Sequence, residues 1–405
     1  MPASAIDFTA ITHIIHFSIT PNADGSLNLS DNNITTNGAS DLITRAHAAG
    51  KKVIICVGGA GTQTAFQSAT ATANLTGFVS NIVNFATNWN YDGVDIDWEP
   101  LDDSDSASFH SLITTLHAAL TPGRLLTAAT ASEPSYFASL QSEFDQINVM
   151  TYDMLSVSSG WVTWFNAPIF DGGYHFASTG NLIPSADGLI KSFLSAGVVS
   201  NKLSIGIAFY GYLEQGGAGT STGGATLPRQ AWTTPPSLNT FTYDDIMSAY
   251  YQSNLYHWDP IAQAAYLSIT NVNPANDMFI TYDDQRTCQA KVSYARNNGL
   301  GGVMIWELGQ DHQNGLPDPL LQAVKQAVAT PGEITCQKNG SDIALQFSAI
   351  ALGKYSILCT SNPALSSWNV LLITNIPGPG GNVRVTDPGA TTNLPIRFYR
   401  VQTPP

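Results

Sequence analysis

Short apolar runs alternate with longer stretches of helical period over the first 330 residues. The runs His13–Ile19, Lys52–Gly59, Val94–Trp98, Leu125–Thr130, Gln146–Tyr152, Leu203–Tyr212 and Gly301–Trp306 predict strands. Between them, segments such as Phe109–Leu120 repeat apolar side chains at helical intervals. Strand and helix alternating this often predict an α/β fold, a parallel sheet covered on both faces. At this length the expectation is a (β/α)8-type TIM barrel. Near Ala329-Thr330-Pro331-Gly332 the pattern changes to strands alone: Ile343–Ala349, Lys354–Thr360, Trp368–Asn375, Asn382–Asp387 and Arg397–Gln402. Turn clusters such as Gly378-Pro379-Gly380-Gly381 separate them, which predicts a small all-β sandwich. The domain reading is therefore a barrel over 1–330 and a β-sandwich over 331–405.

One stretch breaks the even repeat. Leu213 to Asp277 carries a single clear helical pattern, Tyr243–Gln252, after a Gly-, Ser- and Thr-rich segment from Glu214 to Gly224. Long excursions on the C-terminal face of a barrel usually serve the site, so this one is read as a wall of the groove.

Composition narrows the function classes. Hydrophobic residues make up 43% of the chain, enough for a full core, whereas charged residues are only 11%. Sixteen Lys+Arg against thirty Asp+Glu give a net charge of −14, which repels phosphate backbones and anionic lipid. A nucleic-acid partner is excluded on that ground, and no apolar run reaches the ~20 residues of a membrane span. The first residues, Met1-Pro2-Ala3-Ser4-Ala5, lack the pattern of a signal peptide. An uncharged polar surface still leans towards secretion. The four cysteines show no metal-ligand spacing. Cys56 reads as a buried thiol in an apolar run, and Cys336 and Cys359 flank a predicted hairpin that an oxidising compartment could bridge.

The segment richest in chemistry is Tyr91-Asp92-Gly93-Val94-Asp95-Ile96-Asp97-Trp98-Glu99-Pro100. Strand side chains alternate faces, so Asp95, Asp97 and Glu99 point one way and Val94, Ile96 and Trp98 the other. In a barrel strand the acidic set faces the interior. Calcium ligation is the rival explanation, but calcium loops need turns and carbonyl ligands rather than apolar residues at every second place. Like charges this close raise at least one proton affinity and couple the titrations. Glu99 comes last, at the C-terminal mouth where barrel enzymes work. A protonated Glu there can donate to a departing oxygen, as glycosidic hydrolysis requires. Asp97 and Glu99 lie about 6.6 Å apart along one strand. Both therefore reach a sugar from the same side, and the substrate's own N-acetyl carbonyl would have to act as nucleophile.

Asp92-Gly93-Val94-Asp95-Ile96-Asp97-Trp98-Glu99 resembles the signature of family-18 glycoside hydrolases, the chitinases, a substrate-assisted family. Four further segments extend the likeness over most of residues 10–325. They are Lys52–Gly59, with Cys56 where Ser is usual, Asn148–Asp153, Gly206–Gly211 and Gly301–Glu307. The resemblance implies that Glu99 protonates the glycosidic oxygen and then activates water. It implies that Asp97 holds the acetamide N–H and stabilises an oxazolinium, with Asp95 behind it and Tyr152 on the acetamide carbonyl. Asp153 and Tyr210 would contact the sugar, Met150 would line the pocket and Trp306 would form its apolar floor. Trp161, in the loop after the Tyr152 strand, is read as a stacking residue for a neighbouring sugar. No metal and no cofactor are implied, and the expected partner is chitin or N-acetylglucosamine oligosaccharides.

The chain departs from the family at its start. Only Met1–Ile11 precede the strand ending in Phe17, so seven barrel strands match, with Met278–Tyr282 as an extra strand outside the barrel. An opening beside the first and last strands is expected, covered by repacked termini or by self-association at the gap. In the C-terminal part, Trp368, Tyr355 and Tyr399 are candidate chitin platforms. Two rival readings remain: an endo-β-N-acetylglucosaminidase, and a chitinase-like lectin that binds without cutting, which the presence of Glu99 disfavours.

Overall fold

The computed structural model describes residues 1–120, 122–312, 318–329, 334–349, 354–362, 368–375, 381–392 and 397–402. The predicted boundary at 330/331 and residues 376–380 of the last turn cluster lie outside them.

The apolar runs are strands. In chain order they are β1 (His13–Pro21), the short β2 (Leu27–Asn28), β3 (Lys52–Gly59), β4 (Gly93–Trp98), β5 (Leu125–Thr130), β6 (Gln146–Val149) and β7 (Leu203–Ala208). Then come β8 (Tyr210–Gln215), β9 (Ser237–Thr242), β10 (Tyr256–Asp259), β11 (Ala264–Ile269), β12 (Met278–Tyr282) and β13 (Gly302–Trp306). One sheet runs β13-β7-β6-β5-β4-β3-β1-β2. All its pairings are parallel except the hairpin of β2 on the end of β1.

Helices α1 (Thr36–Ala48), α2 (Gln63–Ala69), α3 (Leu75–Asn88), α4 (Ser106–Ala119), α5 (Pro134–Leu140) and α6 (Ala186–Ala196) follow the early strands. Two of them start on a side-chain cap: the Thr35 and Ser185 side chains accept from the N–H groups of Gly38 and Gly188. The core between sheet and helices holds the outward set of β4, Val94, Ile96 and Trp98, and Trp98 stacks on Phe66 with ring centroids 4.6 Å apart. The result is a (β/α)8-type barrel of seven parallel strands. Among the described residues β13 and β1 form no ladder, and every residue of β13 is half-exposed.

The N-terminal segment covers that opening. Residues 3–5 pack on α1. Asp7 accepts hydrogen bonds from Gln322 (2.9 Å) and Lys325 (3.0 Å) of α9 (Pro319–Ala329), the last helix after α7 (Tyr243–Ala249) and α8 (Gln285–Asn297). Higher up, the Phe17 ring meets Trp306 edge-on at 4.6 Å across the gap.

The excursion after β7 is more ordered than its sequence suggests. It forms a five-stranded antiparallel sheet, β10-β11-β12-β8-β9, in which the expected extra strand β12 is central. The predicted single strand Leu203–Tyr212 is two strands, broken at Phe209. Its N–H donates to the Trp306 carbonyl and its own carbonyl accepts from Tyr243, so the chain crosses there from barrel to excursion. A buried ion pair, Lys291–Asp283 at 2.6 Å, ties α8 to β7 through the Gly206 carbonyl and the Ala208 N–H.

Beyond residue 334 lie β14 (Thr335–Asn339), β15 (Asp342–Ala349), β16 (Lys354–Thr360), β17 (Asn369–Asn375), β18 (Gly381–Asp387) and β19 (Phe398–Gln402). They form sheets β14-β15-β18 and β17-β16-β19, which enclose one core containing Leu345, Phe347, Tyr355 and Ile357. The hairpin that forms between Cys336 and Cys359 is β14–β15, β15 and β16 belong to different sheets, and both cysteines are free thiols. Tyr355 is fully buried, so it is not a surface platform, whereas Tyr399 is half-buried and its hydroxyl donates to Asp387 at 2.8 Å. Trp368 lies under the Arg400 guanidinium. Among the described residues no helix is long and apolar enough to cross a membrane.

Candidate active site

The interior of the barrel is a cavity of about 1690 Å³ that extends into the opening between β1 and β13. Strand alternation delivers Asp95, Asp97 and Glu99 of β4 and its C-terminal end into it as one ladder. Glycine makes the neighbouring strand fit: a Cβ at Gly58, which has φ +119° and stands beside Asp97, would lie 2.0 Å from the Asp97 carbonyl oxygen.

The three carboxyls have different surroundings. Asp95 is deepest and is flanked in register by Cys56 of β3 and Thr127 of β5. Burial pushes its carboxyl up to about 6, against hydrogen bonds from the Thr127 hydroxyl and the Cys56 thiol that favour the charged form. Asp97 is raised well above the usual carboxylate range, first by burial and then by the charges of Glu99 and Asp95. It hydrogen-bonds Glu99, while its Oδ1 has no partner among the described residues. Glu99, nearer the mouth, is also raised by burial, is lowered by the hydrogen bond from Asp97, and is raised again by the charge of Asp153. Both carboxyls therefore keep their protons to higher pH than ordinary carboxylates, where a leaving oxygen would need one.

Across the barrel, the predicted Gln146–Tyr152 strand ends at Val149 because the Thr151 hydroxyl bridges to β7, donating to the Gly206 carbonyl and accepting from the Gly206 N–H, each at 2.9 Å. That turn presents Tyr152 and Asp153. A Cβ at Gly206 would meet the Tyr152 ring at 2.9 Å, so only glycine leaves room for it. The Tyr152 hydroxyl is raised well above its ordinary value by burial and by the facing carboxylates, and it stays a neutral donor beside Met304. Asp153 accepts from the Tyr210 hydroxyl at 2.6 Å and from the Tyr212 hydroxyl at 2.8 Å. Tyr152, Tyr210, Met150, Met304 and Trp306 form the apolar part of the wall.

Of the residues expected from sequence, Glu99, Asp97, Asp95, Tyr152, Asp153, Met150 and Trp306 line one cavity, and Tyr210 joins them through Asp153. Trp161 does not: it packs on Phe176 at 4.9 Å, away from the acidic ladder. Sequence reasoning passed over Cys56, Thr127, Tyr212 and Asn166. Interior alternation could have flagged Cys56 and Thr127, whereas Asn166 reaches Asp153 only through the loop path.

The family described as Glycosyl hydrolases family 18 matches residues 3–311. Chitinase A1 of Niallia circulans is 32% identical over 309 residues, covering 66% of this chain and 42% of that protein. The chain thus spans less than half the length of that relative. Among solved structures, Ostrinia furnacalis Group IV chitinase in complex with allosamidin superposes with a TM-score of 0.68 at 22% identity. It covers 81% of this chain and 94% of its own, a likeness of fold. The chitinase-like agglutinin of Robinia pseudoacacia gives 0.66 at 26% identity, covering 81% and 96%. By the extent of the family match, the chain belongs to the glycosyl hydrolases of family 18.

Proposed function

We propose that the chain is a chitinase that hydrolyses β-1,4 linkages between N-acetylglucosamine units, retaining configuration through an oxazolinium intermediate. The carrying observation is the single-strand ladder of Asp95, Asp97 and Glu99 lining one cavity, with Asp97 hydrogen-bonded to Glu99. Both carboxyls approach from one side, and the facing carboxylate, Asp153, is occupied by two tyrosine hydroxyls. That arrangement supports attack by the substrate's acetamide oxygen, aimed by Tyr152. Asp97 stabilises the developing positive charge, Asp95 modulates Asp97, and Glu99 gives its proton to the leaving oxygen and recovers it from water. Trp306 serves as the floor under the sugar. In this reading residues 1–330 carry the activity, 331–405 are an accessory domain, and the protein acts outside the cell.

The test is release of a chromogenic leaving group from an N-acetylglucosamine oligomer. The parent should turn over, and Glu99→Gln should lose roughly 10²–10⁴-fold in kcat, the span of general acid catalysis, while still binding oligomer. Binding without turnover in both proteins would favour the lectin reading. Cleavage confined to glycoprotein glycans would favour the endo-β-N-acetylglucosaminidase.

A further inference from the structure

Asp153 is exposed to solvent, yet it is one of the most firmly held side chains of the site. Its backbone is left-handed, φ +57°, a conformation that non-glycine residues adopt at a cost. Its N–H donates to Asn166 Oδ1 at 2.9 Å, and the fully buried Asn166 in turn donates to the Tyr210 carbonyl. Tyr210 and Tyr212 stand two residues apart on β8 and so share a face. Both hydroxyls donate to the same oxygen, Oδ1. Behind them Thr240, opposite Tyr212 in the β9 ladder, hydrogen-bonds the Tyr212 hydroxyl. Holding an exposed carboxylate this way adds little to folding, because water serves it almost as well. The consequence is directional. With Oδ1 committed to two donors, Oδ2 is the oxygen left to meet a ligand in the cavity.

We propose that Tyr212 is a positioning residue for substrate: with Tyr210 it locks the rotation of the Asp153 carboxylate, so that Oδ2 is presented to a hydroxyl or amide N–H of the bound sugar. The excursion sheet then orients a binding group in addition to walling the groove. This rests on the glycosidase reading above.

The test measures binding of N-acetylglucosamine tetramer by calorimetry on the Glu99→Gln background, so that ligand is not consumed, and kcat and KM separately in the active chain. Tyr212→Phe keeps the ring and removes one donor. It should weaken binding and raise KM by roughly ten- to a hundredfold, the scale of one hydrogen bond to a charged group, with kcat and the thermal midpoint little changed. Thr240→Val reaches Asp153 only through Tyr212 and should act in the same direction by less. In an Asp153→Ala background, which removes the acceptor, Tyr212→Phe should cost nothing further. Unchanged binding in Tyr212→Phe, or additive losses in the double variant, would overturn the inference alone. A parent that binds no oligomer would overturn the glycosidase reading and this inference together.

Discussion

Cys56 shows what one residue in register can do. The thiol sits on β3 directly beside Asp95 and, with Thr127 from the other side, supplies the hydrogen bonds that oppose burial of that carboxylate. Removing it in Cys56→Ala should raise the proton affinity of Asp95 further and keep it neutral to higher pH. Asp97 then loses a repelling charge, and its proton comes off more readily. The basic limb of the kcat/KM profile should therefore move down by about half a unit, since a net hydrogen bond of about 1 kcal/mol corresponds to about 0.7 unit. Cys56→Ser, which keeps a donor, should leave the limb in place; identical limbs in Ala and Ser variants would contradict the assignment. The acidic ladder was legible in the sequence because its alternation is local, three carboxyls within five residues. Cys56 read only as an apolar filler because its partner lies on another strand, and register between strands is not written in either one. Where Trp161 stands could not be read for a different reason: an aromatic in a loop carries no direction until the loop's path brings it to Phe176.

At the scale of elements, the barrel strands were legible and the excursion was not. Runs such as Lys52–Gly59 are apolar because helices and neighbouring strands bury them on both faces. By contrast β9, Ser237-Leu238-Asn239-Thr240-Phe241-Thr242, is largely polar and half-exposed, and it is a strand because β8 pairs with it. The same sheet holds an unusual core residue. Glu214 of β8 is fully buried and, among the described residues, accepts only the Trp164 N–H at 3.2 Å and leaves Oε2 without a partner. Burial pushes its carboxyl up to about 8, against that one hydrogen bond, so at neutral pH it is a neutral acid. The unfolded chain releases this proton near pH 4.3 and the folded one keeps it to about 8. The stability it contributes is complete below the unfolded value and fades as pH rises through that interval. Glu214→Gln keeps the shape and cannot ionise. Its thermal midpoint should match the parent's near pH 5 and exceed it at pH 8–9. A parent and variant that track each other across that range would show that Glu214 is ionised in the fold.

For the whole molecule the count of barrel strands and an opening covered by termini or a partner were legible, and the contacts that make the cover were not. Seven strands could be counted from apolar runs; that Met1–Thr12 would lie over the opening, held by Asp7 on α9, depends on contacts more than 300 residues apart in sequence. Global electrostatics follow from how such contacts distribute protons. Asp95 near 6, Asp311 near 7 and Glu214 near 8 are all raised chiefly by burial, and all three hold protons that the unfolded chain gives up near pH 4. Their contribution falls as pH climbs from about 4 to 8. Other carboxylates work in reverse. Burial also opposes ionisation of Asp92 and Asp259, but hydrogen bonds from Lys52, the Val53 N–H and His47 to the first, and from Arg229 and two backbone N–H groups to the second, outweigh it. Those pairs stabilise the fold above the unfolded carboxylate value and are lost as pH falls below it. A net charge of −14 at pH 7 adds self-repulsion that grows on the alkaline side. The two trends meet between about pH 4 and 6, where the ion pairs are formed and the buried acids are still protonated in both trend's favour. Thermal unfolding followed from pH 3 to 9 should give its highest midpoint in that window and a steady decline towards pH 9, shallower in Glu214→Gln. A midpoint that rises from pH 5 to 8 would mean that the buried carboxyls are ionised and paired, and that the protons of Asp97 and Glu99 are not part of a protonated interior.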